Sequence, residues 1–131
     1  MTRIAVIGSP RAGKTSLALE LGGKLSLPVL HADDLMFLGW SECSDAIATR
    51  MRTGAQCIYE GVAVVRAMRK VLIQEPDLAP VERCIVLTKP RIPRLSERQD
   101  SMRKACASIL ATIEPELVRR GVVIQRDPES P

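Results

Sequence analysis

Short, unbroken apolar runs alternate along the chain with apolar positions at helical spacing. Arg3-Ile4-Ala5-Val6-Ile7 stops at Gly8, and from Lys14 the positions Leu17, Leu21 and Leu25 mark a helix expected to end near Gly22-Gly23. Val29-Leu30 is a second strand, closed by Asp33-Asp34. A helix from Ser44 to Arg52, ended by Gly54, leads to a third strand at Cys57-Ile58-Tyr59 that breaks at Glu60-Gly61. Val64 to Ile73 reads as helix, and Pro76 and Pro80 precede a fourth strand, Cys84 to Leu87. Helix formers fill Arg94 to Arg120, where Pro115 is expected to kink or divide the helix and Gly121 to stop it. Val122-Val123-Ile124 is a fifth strand, and residues 127–131 form a tail expected to fray. Continuously apolar strands alternating with helices predict an α/β fold, a five-stranded parallel sheet with helices on both faces.

Composition narrows this picture. A chain of 131 residues with 46% hydrophobic and 26% charged positions is one domain, spanning 1–126, and is neither disordered nor a disulfide scaffold. Cys43, Cys57, Cys84 and Cys106 form no C-x-x-C pair and His31 is the single histidine, so buried free thiols are expected rather than a zinc site. No apolar run is long enough to span a bilayer and none resembles a signal sequence, which predicts a cytoplasmic protein. Phe37, Trp40 and Tyr59 are the only aromatics, too few for an extended stacking platform on single-stranded nucleic acid.

The net charge of +4 is unevenly spread. Fourteen Arg stand against five Lys, and six basic residues face two acidic ones between Lys89 and Lys104. Arginine binds phosphate in a planar, bidentate way, so an anionic ligand is expected, with a solvated helix face as the alternative.

Gly8-Ser9-Pro10-Arg11-Ala12-Gly13-Lys14-Thr15 matches G-x-x-x-x-G-K-[ST] in full, after a strand and at the start of a helix. Such a loop curls its N–H groups into an anion nest at the positive end of a helix dipole. Gly8 to Thr15, with Ser16, is thus the expected nucleotide cradle, with Lys14 on the β- and γ-phosphates and Thr15 on Mg²⁺. Arg126, after the last strand, is placed near the donor base. In an open parallel sheet ligands sit beyond the carboxyl ends of the strands, where Asp33, Asp34 and Glu60 fall. Glu60 suits a metal-holding role and Asp33 that of a base; a helix N-cap pair and a solvated turn acid are the alternatives.

The run His31-Ala32-Asp33-Asp34 downstream of the loop resembles the kinase domain of phage-type polynucleotide 5′-hydroxyl kinases, in which the first Asp of such a pair is the general base. More widely, nearly the whole chain resembles the adenylate-kinase-like P-loop kinases. Tyr59-Glu60-Gly61 is similar to their Asp-Gly motif, and Arg91, Arg94 and Arg98 to their arginine lid, here about residues 90–104. In departure from both groups, Leu35-Met36-Phe37 stands where an Arg is common, and Arg66 comes late after Glu60-Gly61.

The resemblance implies a single-domain P-loop kinase using ATP and Mg²⁺, with Asp33 as base and the lid arginines closing over the transferring group. A candidate base argues for a hydroxyl acceptor, on a nucleotide or nucleic acid; a hydroxymethylated base in DNA, modified in the host cytoplasm by a phage enzyme, is one case. Asp34, Phe37, Trp40 and Arg66 are the further acceptor residues, Phe37 and Trp40 as a base stack or as ordinary packing. Arg50, Arg52, Arg66, Arg69 and Lys70 form a second basic cluster able to meet a phosphate backbone, or simply solvated. A nucleoside monophosphate or other small-molecule kinase is the alternative, and a non-catalytic nucleotide-binding switch the second.

Overall fold

The computed structural model describes residues 2–9, 12–89 and 94–128. Five parallel strands, β1 (Arg3–Gly8), β2 (Val29–His31), β3 (Cys57–Glu60), β4 (Arg83–Leu87) and β5 (Val123–Arg126), form one sheet in the order β2-β3-β1-β4-β5. Between them lie α1 (Lys14–Leu25), a 3-10 helix (Ala32–Leu38), α2 (Trp40–Arg52), α3 (Val64–Gln74) and α4 (Glu97–Arg119). The expected α/β architecture is therefore the observed one.

Period-two alternation divides the central strands between two cores. Ile4, Val6, Ile58 and Ile85 meet Ala18 and Leu21 of α1 on one face. Ala5, Ile7, Tyr59, Cys84 and Val86 turn to the other, where α2, α3 and α4 bring Ile47, Met51, Val64, Met68 and Leu117. All four cysteines are buried and free, as expected. Burial pushes every one of these thiols above its ordinary range.

Several boundaries differ from the sequence expectation. Helix α1 does not stop at Gly22-Gly23 but runs on to Leu25, where Ser26 takes a left-handed conformation (φ 55°) and its N–H caps the Gly22 carbonyl. Gly22 serves packing instead: a Cβ there would lie 2.7 Å from Val29 Cγ2. Helix α2 starts at Trp40 rather than Ser44, because Gly39 (φ 100°) turns the chain out of the 3-10 helix. Helix α4 begins at Glu97, not Arg94. Ser96 and Gln99 close a reciprocal capping box, the Gln99 N–H donating to Ser96 Oγ (3.1 Å) and the Ser96 N–H to Gln99 Oε1 (3.0 Å).

Pro115 neither divides nor ends α4, which continues to Arg119. The carbonyl it leaves without a helical partner is that of Ala111, an exposed residue, so water can take it. Strand β5 starts one residue later than expected and runs two further, to Arg126, and Asp127 of the expected tail is tied down: its Oδ1 accepts from the Thr88 N–H at 2.8 Å. Residues 129–131 lie outside the described residues. Arg120 closes the helical layer from below, its buried guanidinium donating to the carbonyls of Leu72, Glu75 and Leu78.

The two adjacent glycines of α1 differ in their surroundings, and substitution should separate them. A Cβ on Gly23 would meet nothing within 4 Å, so Gly23→Ala is expected to stabilise the fold by roughly 0.5–1 kcal/mol. The neighbouring Gly22→Ala gains the same helix propensity but loses about 1–3 kcal/mol to overpacking, and urea unfolding midpoints should move in opposite directions. Tyr59 is fully buried, and its hydroxyl has no hydrogen-bond partner among the described residues. Burial pushes its phenol up to about 12, with nearby Arg50 working in the opposite sense. The phenolate absorbance of the protein's single tyrosine should rise around that pH rather than near 10. Because the unfolded chain loses this proton near pH 10, stability held below that value should fall as pH rises from about 10 to about 12.

Candidate active site

The carboxyl ends of β1, β3 and β2 and the first turn of α1 surround a cavity of about 380 Å³ lined by Lys14, Thr15, Asp33, Glu60, Val62 and Met102. Its loop is built by close approach. A Cβ on Gly8 (φ 131°) would fall 2.0 Å from the Leu87 carbonyl oxygen, so only glycine lets β1 turn into the loop beside β4. The Ser9 N–H then donates to that carbonyl at 2.8 Å. Gly13 (φ 90°) caps α1, whose free N–H groups and dipole face the cavity.

Lys14 reaches back across the loop and donates from Nζ to the Ser9 carbonyl at 2.8 Å. Burial lowers the pKa of this ammonium, while the Glu60 and Asp33 carboxylates hold it up. Glu60 is only 3% exposed, and its Oε1 accepts from the Thr15 hydroxyl at 3.1 Å and contacts His31 Nδ1 at 2.7 Å. The two acidic strand ends thus differ in kind: Glu60 is embedded, whereas Asp33 is exposed on the 3-10 helix at the cavity wall.

A second cavity, about 270 Å³, adjoins the first through Val62 and Met102. Trp40, Arg66, Arg98 and Ser101 line it, and the Arg66 guanidinium lies over the Trp40 ring at 5.1 Å. Two guanidiniums beside apolar walls make this space suited to a small anion. A third cavity, about 210 Å³, lies on the far side of Gly8 and Ser9, between α4 and the ends of β4 and β5. Its floor is apolar, with Val86, Cys106 and Leu110, and Arg126 stands at its edge paired to Glu114.

The structure therefore brings together Gly8, Ser9, Gly13, Lys14, Thr15, Ser16, Asp33 and Glu60, and sets Trp40, Arg66 and Arg98 next to them. Ala12 is buried. Pro10, Arg11 and Arg91 lie outside the described residues. Asp34 is not in the loop cavity but in a separate groove with His31 and Arg50, since consecutive residues of a 3-10 helix point about a third of a turn apart. Phe37 is 82% exposed and lines none of these cavities. Arg94 precedes the helix, so it does not share a helical face with Arg98 as its spacing suggested. Residues 97–104 of the expected lid are the first turns of α4 itself. Arg126 is the last residue of β5 rather than part of a following loop. Sequence reading gave no site role to His31, quoted only as the head of the His31-Ala32-Asp33-Asp34 run, nor to Val62, Ser101 and Met102; the β2–β3 register brings His31 to the site, Val62 follows Glu60-Gly61, and the approach of α4 brings Ser101 and Met102.

No family model matches the chain, and no curated protein matches it in sequence. Among solved structures, the shikimate kinase of Acinetobacter baumannii, determined in complex with shikimate, superposes at a TM-score of 0.53. It is 15% identical, and the match covers all of this chain and 86% of that one. The shikimate kinase of Bacteroides thetaiotaomicron is 16% identical over 94% of this chain and 84% of its own, at a TM-score of 0.45. The chain therefore has the P-loop α/β fold of the Acinetobacter enzyme. Among the described residues, no helix is long and apolar enough to cross a membrane.

Proposed function

We propose that the chain is an ATP-dependent kinase that phosphorylates a hydroxyl group on a small anionic molecule. The observation that carries this reading is the shared wall of the two cavities: Val62 and Met102 border both the Lys14–Asp33 space and the Arg66–Arg98 space. A molecule held by its anionic group on the two guanidiniums presents its other end to Asp33 and the phosphate loop.

Phosphoryl transfer asks for alignment and charge neutralisation more than for covalent chemistry. The loop amides and Lys14 hold the β- and γ-phosphates, and Lys14 leaves the Ser9 carbonyl to do so. Asp33 accepts the proton of the acceptor hydroxyl as its oxygen bonds to the γ-phosphorus and the bond to the β–γ bridging oxygen breaks. The hydroxyl of Thr15 and the carboxylate of Glu60 are hard oxygen donors side by side at the loop, a set that fits Mg²⁺. A metal bound there supplies charge neutralisation on the phosphate oxygens. The apolar cavity beyond Gly8 and Ser9, with Arg126 at its edge, is the place for the donor base. Met102 and Val62 keep water from the reacting centre.

A nucleic-acid acceptor, expected from the sequence, has weaker support. Arg66 covers the Trp40 face that a base would stack on, and Phe37 stands away from the cavities. Two of the five residues of the second basic cluster are engaged within the fold: Arg52 donates to Gln74 and Thr49, and Lys70 to Asp45 at 2.7 Å. Shikimate, named in the Acinetobacter complex, is a hydroxylated carboxylate and belongs to the class that two guanidiniums favour.

Labelled ATP offered with pools of hydroxylated carboxylates, phosphate monoesters and oligonucleotides tests the reading. Label is expected on a small anion. Transfer to oligonucleotides overturns the acceptor class, and label released only as free phosphate overturns the kinase reading in favour of a switch. Asp33→Asn should slow transfer by about 10²–10⁴-fold while leaving ATP affinity nearly unchanged. Arg66→Ala and Arg98→Ala should each raise the acceptor KM roughly tenfold or more, the loss of a charge-assisted hydrogen bond, with ATP affinity retained.

A further inference from the structure

We propose that His31, the single histidine of the chain, is a positioning residue that holds the Glu60 carboxylate in the orientation the Thr15 hydroxyl needs to ligate a divalent cation. The inference rests on the P-loop and metal reading above and assigns a role to a residue that reading does not use.

In the parallel β2–β3 register His31 stands directly opposite Glu60, and in the β1–β3 register Glu60 stands opposite Val6. Glu60 follows Ile58 onto the face covered by α1, so its side chain meets the first turn of that helix. There one oxygen, Oε1, serves two neighbours: the Thr15 hydroxyl at 3.1 Å and His31 Nδ1 at 2.7 Å. The carboxylate accepts, which places the imidazole hydrogen on Nδ1.

A hydroxyl that offers a lone pair to a cation must give its hydrogen to another acceptor, and Glu60 is that acceptor for Thr15. A carboxylate held by Thr15 alone can rotate about its last side-chain bond and carry the hydroxyl with it. His31 supplies the second point of attachment from a different strand. The next residues lock the same register. Gly61 (φ 127°) approaches Ala32 so closely that a Cβ would lie 2.7 Å from the alanine methyl. Because Asp33 follows two residues after His31, one short segment sets both the metal side and the acceptor side of the cavity.

Supporting groups that orient metal ligands without touching the metal typically contribute ten- to hundredfold in metal affinity. The test is calorimetric titration of ATP into wild type, His31→Ala and His31→Asn, each with Mg²⁺ and with a chelator. The asparagine amide nitrogen can occupy the place of Nδ1 and donate the same bond. His31→Ala is expected to reduce the Mg²⁺-dependent gain in ATP affinity by about ten- to hundredfold, with affinity in chelator changed by less than about threefold, and His31→Asn to restore most of the gain. A full Mg²⁺ gain in His31→Ala, or equal impairment of both variants, overturns the positioning role. A wild-type chain that binds ATP no better with Mg²⁺ than without it overturns the metal reading on which the inference rests, and the inference with it. Circular dichroism of the same samples separates loss of the gain from loss of fold, and a His31→Asn variant that is folded but lacks the gain counts against the proposal.

Discussion

A carboxylate buried at the carboxyl end of the central strands is the constraint around which the site is organised. Removing a carboxylate's hydration costs several kcal/mol unless other groups replace it. Around Glu60 those groups are the Thr15 hydroxyl, the His31 ring, the nearby Lys14 ammonium and the amino end of α1. They come from separate elements that meet only if β2, β3 and β1 pair in the observed register. A slip of one residue would turn Glu60 toward the opposite core, where Tyr59 packs, and strand both partners. The same pairing that satisfies the charge therefore assembles the phosphate loop and its companions.

Helix α4 is the second organising element, and it serves two cavities at once. Arg98, Ser101 and Met102 in its first turns border the space with Trp40 and Arg66, while Ala107, Leu110 and Glu114 border the space beyond Gly8 and Ser9, with Cys106 lining both. A rotation of this helix would change the two spaces together. Its long body gives the arginine at its start a rigid base, since Leu110, Ile113 and Leu117 anchor it in the larger core.

The fold and half of the site are legible in the sequence for physical reasons. Continuous apolar strands such as Arg3–Gly8 must be covered on both faces, and the glycine-lysine loop carries its own backbone requirement, so β1, the loop and α1 are readable from local pattern alone. Glu60 and Asp33 are readable because strand ends collect ligands. The missed boundaries arise where side chains act through tertiary contact. Gly22 looks like a stop until Val29 packs on it, and Pro115 looks like a break until its freed carbonyl is found on the exposed side of α4. The start of α4 is written in the sequence as Ser96-Glu97-Arg98-Gln99, a capping signature that composition alone hides. The contact of His31 with Glu60 and the approach of Met102 have no local signal, because strand register and helix docking place them. The acceptor class is obscured for a related reason: counting arginines does not reveal that one lies on the only tryptophan and that others are tied to their neighbours.

The two border strands of the sheet are very short, three residues in β2 and four in β5. An edge strand displays unpaired N–H and C=O groups that can recruit a strand from another molecule. Here the exposed backbone on either side extends only about 10–13 Å at the usual rise of ~3.3 Å per residue, too little for a firm intermolecular ladder. On the β2 side the chain coils into the 3-10 helix immediately after His31, so the border that carries the site also ends the sheet. A parallel sheet whose two outer strands are this short thus keeps the rim that carries the candidate site free of the aggregation hazard that a longer outer strand would bring.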